Sequence, residues 1–162
     1  MDAVMVMRRK DREVTELSKI REILTKCKVC RIAICDSEGL YIVPMSFGWE
    51  LCGDNLTLFL HSAKEGRKVS SFRLGCDAAF ETDCDITLRE GETACRYGCC
   101  YASIIGNGRI EPVEDDTEKA RALRILMKCQ TGRDFDFTKT ETDTVAVFKL
   151  QAEKFTCKAR EK

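Results

Sequence analysis

Residues 56–68 read Leu56-Thr57-Leu58-Phe59-Leu60-His61-Ser62-Ala63-Lys64-Glu65-Gly66-Arg67-Lys68. Five residues of apolar, β-prone character stop at a histidine and a serine, and small and cationic residues follow, which is the pattern of a strand feeding a helix. Ser62 is the candidate N-cap. Capping there would bring free backbone N–H groups, the positive end of a helix dipole and the Arg67–Lys68 pair to one spot. That convergence suits a phosphate. An ordinary solvated turn uses the same residue types, so the local pattern leaves both readings open. His61, the single histidine of the chain, sits at the lip of the strand.

Towards the N-terminus, Val14, Leu17, Ile20, Ile23 or Leu24 and Cys27 recur at three- and four-residue steps. They predict an amphipathic helix over residues 11–27, packed on a sheet. Residues 31–35 read as a buried strand, Asp36-Ser37-Glu38-Gly39 as a turn and residues 40–47 as the hairpin partner. Pro44 lies inside that partner. Proline cannot donate to a ladder, so it marks an edge, a bulge or a place where the ladder opens beside a ligand. Cys52-Gly53-Asp54-Asn55 is a second turn, leading into the central strand.

Towards the C-terminus, Val69, Phe72 and Leu74 give a short helix that Gly75 ends, and residues 78–80 begin another strand. Residues 85–98 have no firm period and read as a loop or frayed hairpin. Residues 101–110 form a strand interrupted by Gly106 and Gly108, where a bulge or a close backbone approach is expected. A core-facing helix follows, with Asp115 as candidate cap, Ala120, Leu123, Leu126 and Met127 as its apolar stripe, and Gly132 as its stop. Phe135 and Phe137 lie in a polar loop, either tucked on the surface or stacking on a ligand. Residues 144–157 supply a last strand. Six or seven strands with two substantial helices predict a mainly β fold, an antiparallel sheet or barrel with helices packed outside.

With 162 residues the chain can bury a core as one domain. The expected organisation is a single domain over residues 1–162, with residues 1–10 a loose extension. Its 27 basic and 27 acidic residues balance, which removes the general electrostatic case for nucleic acid or an anionic membrane as partner. Apolar runs fall short of the roughly 20 residues that span a bilayer. The start, Met-Asp-Ala-Val-Met-Val-Met-Arg-Arg-Lys, lacks a secretory apolar region. A cytoplasmic protein is expected. Eleven cysteines, an odd number spread over strands and helices, read as free thiols rather than a disulfide framework. Cys27-Lys28-Val29-Cys30 has metal or redox spacing, with Cys95, Cys99 and Cys100 as candidate further ligands. Cysteines used as small core hydrophobes are the competing reading, and no metal is expected.

Five motifs in order carry a more specific signal: residues 7–13 (Met-Arg-Arg-Lys-Asp-Arg-Glu), residues 41–48 (Tyr-Ile-Val-Pro-Met-Ser-Phe-Gly), residues 59–68, residues 101–108 (Tyr-Ala-Ser-Ile-Ile-Gly-Asn-Gly) and Phe-Lys-Leu at residues 148–150. This succession resembles the nitroimidazole-resistance branch of the pyridoxamine 5′-phosphate oxidase-like flavoproteins, over nearly the whole chain. The resemblance implies an antiparallel, FMN-binding split β-barrel that forms a homodimer, with flavin in clefts between the subunits. It matches Arg67 and Lys68 to the phosphate-binding pair, with Ser62 and Lys64 in the same loop. Pro44, Met45, Ser46 and Phe47 match the strand beside the isoalloxazine, and Ser103 the polar residue that reaches it from another strand. His61 matches the site histidine and is the catalytic candidate. FMN is the implied cofactor, with FAD possible in the same cradle.

The C-terminal basic and aromatic grip of true pyridoxamine phosphate oxidases is not evident, so that activity is not expected. The implied function is a flavin-dependent oxidoreductase passing electrons to a small, (nitro)aromatic acceptor such as a 5-nitroimidazole. A flavin-binding or carrier protein without turnover of its own is the alternative, and a thiol- or metal-based sensor a third.

Overall fold

The computed structural model describes residues 7–161. Its strands are β1 (Val29–Asp36), β2 (Gly39–Cys52), β3 (Asn55–Ser62), β4 (Cys76–Arg89), β5 (Gly98–Pro112) and β6 (Ala146–Arg160), and its helices are α1 (Leu17–Lys26), α2 (Arg67–Arg73), α3 (Asp116–Thr131) and α4 (Lys139–Thr142). Every strand pair is antiparallel, and the sheet closes into a barrel in the order β1-β2-β3-β6-β5-β4. The mainly β, split-barrel expectation holds.

Alternation along the strands fills the interior. Ile32, Leu56, Leu58, Leu60, Ile104, Ile110 and Leu150 are fully buried there, each contributing about 1.5–3 kcal/mol of apolar burial. α1 adds Ile20, Ile23 and Leu24 to this core, and α2 adds Val69 and Phe72. The Phe72 ring meets Phe148 edge to face at 5.2 Å. α3 instead lies on the outer surface, where Ala122 and Leu123 pack with Phe59 and Val147 in a second, smaller cluster. Asp115 caps it by accepting the Glu118 N–H at 2.9 Å, and Gly132 ends it at φ 74°.

The two halves of β2 have different neighbours. Residues 47–52 pair with β3, whereas residues 39–46 pair only with β1. Pro44 therefore stands on an open edge, where its missing N–H costs no ladder bond. Gly106 and Gly108 fulfil the close-approach expectation. A Cβ at Gly106 would lie 2.5 Å from the Phe80 ring, and one at Gly108 would lie 2.0 Å from the Gln151 carbonyl oxygen. Beside them the β5–β6 register shifts between Asn107 and Gly108.

Two expectations change, and one open reading is settled. The helix predicted over residues 11–27 is only α1, because Val14 donates its N–H to the Cys157 carbonyl and Glu13 bridges Lys158, so the segment before α1 runs along β6. Leu74 is 86% exposed and lies past the end of α2 rather than in the core. Residues 85–98 resolve into a hairpin: β4 passes an irregularity at Asp85 (φ 56°) and pairs again as far as Arg89 with Gly98. Of the N-terminal extension, residues 1–6 lie outside the described residues, while Met7 is buried and Lys10–Arg12 form a 3-10 turn.

The seat of α3 depends on Gly48, whose Cβ position lies 2.5 Å from the Leu126 Cα. Gly48→Ala should push α3 off the barrel and lower stability by about 1–3 kcal/mol, the usual cost of overpacking. Chemical denaturation followed by circular dichroism measures it, and an unchanged midpoint would contradict this seat.

Candidate functional site

The open half of β2, the end of β3 and the start of α2 meet at one rim of the barrel. Phe47 pairs with Leu60, and there the β2–β3 ladder stops: His61 and Ser62 continue β3 against β6 alone, while residues 39–46 continue β2 against β1. Pleating then sorts these side chains by face. Pro44 and Ser46 are exposed, whereas Met45 and Phe47 are buried at 6% and 1% and belong to the core cluster. Of the predicted strand residues, Pro44 and Ser46 can present side chains to a ligand, and Met45 and Phe47 can offer only backbone.

The loop departs from the predicted capping. Ser62 is not the N-cap of α2: its hydroxyl donates to the Ala63 carbonyl at 2.7 Å, and the cap is Gly66, at φ 120°. With three residues between β3 and that cap, the serine lies too early to reach the first turn. α2 has only seven residues, so attraction for an anion rests on side chains here. Arg67 is already engaged. Its guanidinium donates Nε and Nη2 to the two carboxylate oxygens of Asp36, both at 2.8 Å, and stacks 4.5 Å from the centre of the Tyr41 ring. Those bonds hold the Asp36 carboxyl down at about 2. The pair ties α2 to the β1–β2 turn. Lys68, next in sequence, has no ion pair or side-chain hydrogen bond among the described residues, and Lys64 is exposed.

His61 is half-buried on the outer face of β3, opposite Val147 of β6. Its Nδ1 is buried with no hydrogen-bond partner, and burial pushes the imidazole pKa down from its ordinary 6.5. A neutral ring is favoured. Ser103 does not join this group. It pairs with Lys158 on β6, eleven residues from Val147, which is roughly 35 Å of extended strand. Within one chain His61, Ser62, Lys64, Arg67 and Lys68 follow one another from the end of β3 into α2, Arg67 meets the open half of β2 at Tyr41, and Ser103 lies towards the far end of the barrel.

Asp36 and Tyr41 escaped the sequence reading. Asp36 looked like a turn former and also fills that role, accepting the Glu38 N–H at 2.9 Å; nothing local signals an arginine 31 residues away. Among the described residues no group of three His, Cys, Asp or Glu side chains is placed to hold a metal. No helix there is long and apolar enough to cross a membrane.

The family model described as pyridoxamine 5′-phosphate oxidase matches residues 16–159. None of the curated proteins matches the chain. Among solved structures, the chain is similar to a candidate 5-nitroimidazole antibiotic resistance protein from Bacteroides thetaiotaomicron, with 29% identity and a TM-score of 0.75 over 90% of this chain and 85% of that one. An FAD- and heme-binding protein from Mycobacterium smegmatis shares the fold at 17% identity and a TM-score of 0.77, over 93% of this chain and 74% of that one. The flavocytochrome Anf3 from Azotobacter vinelandii does so at 20% identity and a TM-score of 0.76, over 97% and 73%.

Two measurements check this geometry. Folding keeps Asp36 ionised to lower pH than the unfolded chain, whose carboxyl titrates at about 3.9. Its contribution to stability is therefore full above that value and is lost as pH falls towards about 2. Asp36→Asn should lower the melting temperature at pH 7 and flatten the acid limb of stability over that window; an identical acid limb would remove the proposed pin. As the chain's single histidine, His61 should give one clean NMR titration with a midpoint below 6.5. A midpoint above it would contradict the burial.

Proposed function

The chain belongs to the pyridoxamine 5′-phosphate oxidase family, and on that premise we propose that it is a flavin-dependent oxidoreductase reducing a small (nitro)aromatic acceptor such as a 5-nitroimidazole. The observation that carries this reading is the rim itself. Among the described residues, a half-strand unpaired on one side, an uncommitted Lys68 and a buried imidazole nitrogen without a partner belong to the successive elements β2, α2 and β3. A buried unpaired nitrogen costs about 1–3 kcal/mol, which a ligand hydrogen bond would recover. Backbone groups along residues 39–46, on the side away from β1, have no ladder partner, and they offer alternating donors and acceptors to a planar ring edge.

These residues fit FMN. Lys68 would hold the phosphate, with Ser62 and Lys64 in the same loop, and Arg67 would add charge only while remaining tied to Asp36. A bound flavin supplies the electron transfer itself. Pro44 and Ser46 would flank the ring, and Met45 and Phe47 would act through backbone alone while their side chains hold the strand to the core. His61, kept neutral by burial, would orient the acceptor and give or take one proton at Nδ1. The likeness to the Bacteroides protein supports the nitroaromatic class of acceptor. The separation of Ser103 from His61 supports a homodimer, since only a second copy can bring that serine to the same cleft. FAD in place of FMN would use the same cradle. Eleven free cysteines accord with a reducing, cytoplasmic setting, and a single domain over residues 1–162 accords with one continuous barrel core.

The absorption spectrum of the purified protein, with mass identification of what heat releases, tests the cofactor. The two visible bands of oxidised flavin and released FMN are expected; a colourless protein that takes up no added FMN would overturn the reading. Lys68→Gln should weaken FMN binding about tenfold, the scale of one charge-assisted hydrogen bond. His61→Ala should keep its flavin and lose most of its nitroimidazole reduction rate. An unchanged rate would remove His61 from the chemistry, and no reduction by any donor would leave a flavin carrier.

A further inference from the structure

At the start of β6 lies a cleft of about 350 Å³, whose lining includes Lys64, Arg73 and Lys119, a single carboxylate, Glu114, and the apolar residues Val145 and Val147. Its three cations come from three separate elements: the loop after β3, the end of α2 and the first turns of α3. We propose that this cleft binds the anionic group, carboxylate or phosphate, of a small organic substrate whose apolar body lies against β6 and whose reacting end points to His61. The proposal rests on the flavin reading for the reaction it serves and deepens it by naming the substrate as an anion.

The structure holds many cation–carboxylate pairs, and the two acids that follow Glu114 in sequence have partners of their own. Asp116 is bonded to Lys139, and Asp115 caps α3. Among the described residues Lys64 and Lys119 make no salt bridge, although Lys119 lies near enough to Asp116 to help hold that carboxyl down, and the Arg73 guanidinium makes a hydrogen bond from Nη2 to the Lys64 carbonyl at 3.0 Å. That bond orients the guanidinium and leaves its other donors free. Three cations facing one carboxylate across an apolar-walled cleft repel one another, and an anion relieves that repulsion while gaining bidentate contacts from Arg73. Lys119 is only partly exposed, so its charge acts in a less screened setting than the surface lysines.

The cleft is also joined to the candidate site by the sheet. Val147, which lines it, is the ladder partner of His61, and Ala146, which also lines it, pairs with Ser62. Directly opposed residues on antiparallel strands hold their Cβ atoms about 4.5–5.5 Å apart. A molecule seated by its anion at Arg73 and Lys119 therefore has its far end within reach of the imidazole. Lys68 follows Arg67, which is tied to the β1–β2 turn, so the two anion sites share the Lys64 loop and differ in Lys68 on one side and Arg73 and Lys119 on the other.

The test titrates the purified protein with benzoate and, separately, with inorganic phosphate, following the backbone amides of Lys119, Val145 and Val147 by NMR and flavin content by visible absorption. Saturable shifts at these amides are expected, tighter for benzoate because of the apolar wall. Arg73→Gln and Lys119→Gln should each weaken them about tenfold with flavin content unchanged. A response to phosphate alone would keep the site and assign it to phosphate-bearing substrates. Shifts that persist and are lost in the variants, in a protein that binds no flavin, would uphold the anion site while the flavin reading falls. Absence of saturable shifts in this cleft would overturn the proposal. So would loss of flavin in either variant, which would give the cleft to the cofactor's own phosphate.

Discussion

Closure of the sheet depends on a backbone contact that side chains would forbid. β5 and β6 are joined along most of their length, and where they cross most tightly the carbonyl of Gln151 occupies the space a Cβ would need at Gly108. Two residues earlier the Phe80 ring fills the same space above Gly106. Glycine at these positions lets β5 bend between β4 and β6, so that β6 reaches β3 on its other edge and the ring completes. The interior leucines and isoleucines stabilise the barrel once it exists. They do not set its curvature.

That curvature has a cost at β2, and the candidate site occupies the place where it falls. β2 has fourteen residues and parts from β3 after the Phe47–Leu60 pair, so its first half is left with one neighbour. Proline and exposed polar residues are tolerated there because no ladder demands their N–H groups. The loose half is then fixed from outside the sheet. Asp36 and Arg67 tie its turn to α2, and the guanidinium lies on Tyr41 within it. The rim is thus open in hydrogen bonding yet held in position, the combination a planar ligand needs.

Much of this was legible in the sequence because it is encoded locally. Pro44 announced an edge, Gly106 and Gly108 a close approach, and Asp115 a cap, and each is a rule about one residue and its immediate neighbours. What was not legible depends on partners far along the chain. Ser62 has the right chemistry for a cap, but the cap position was decided by where Gly66 could take a positive φ. Arg67 reads as a free cation until Asp36 is folded against it. The alternation that would have assigned Met45 and Phe47 to the core was present in residues 39–52, but it is masked by a strand apolar on both faces for part of its length, including Leu40 and Ile42, which are 88% and 64% exposed. The helix predicted before residue 17 failed for a similar reason: the periodicity was real, and an edge of β6 competed for the same backbone.

The cysteines fall into two populations with different practical weight. Cys30, Cys84 and Cys157 have pKa values pushed up to about 12 by burial, and Cys27 is raised in the same way, so they stay protonated and slow to oxidise. Cys35, Cys52, Cys95 and Cys99 lie exposed. Cys35 sits on the same outer face as Leu40, its partner across β1 and β2. Handled in air, these surface thiols can join two molecules covalently whatever the barrel itself prefers. A doubled mass on a non-reducing gel would then report storage history, and the assembly state of this protein has to be read under reductant.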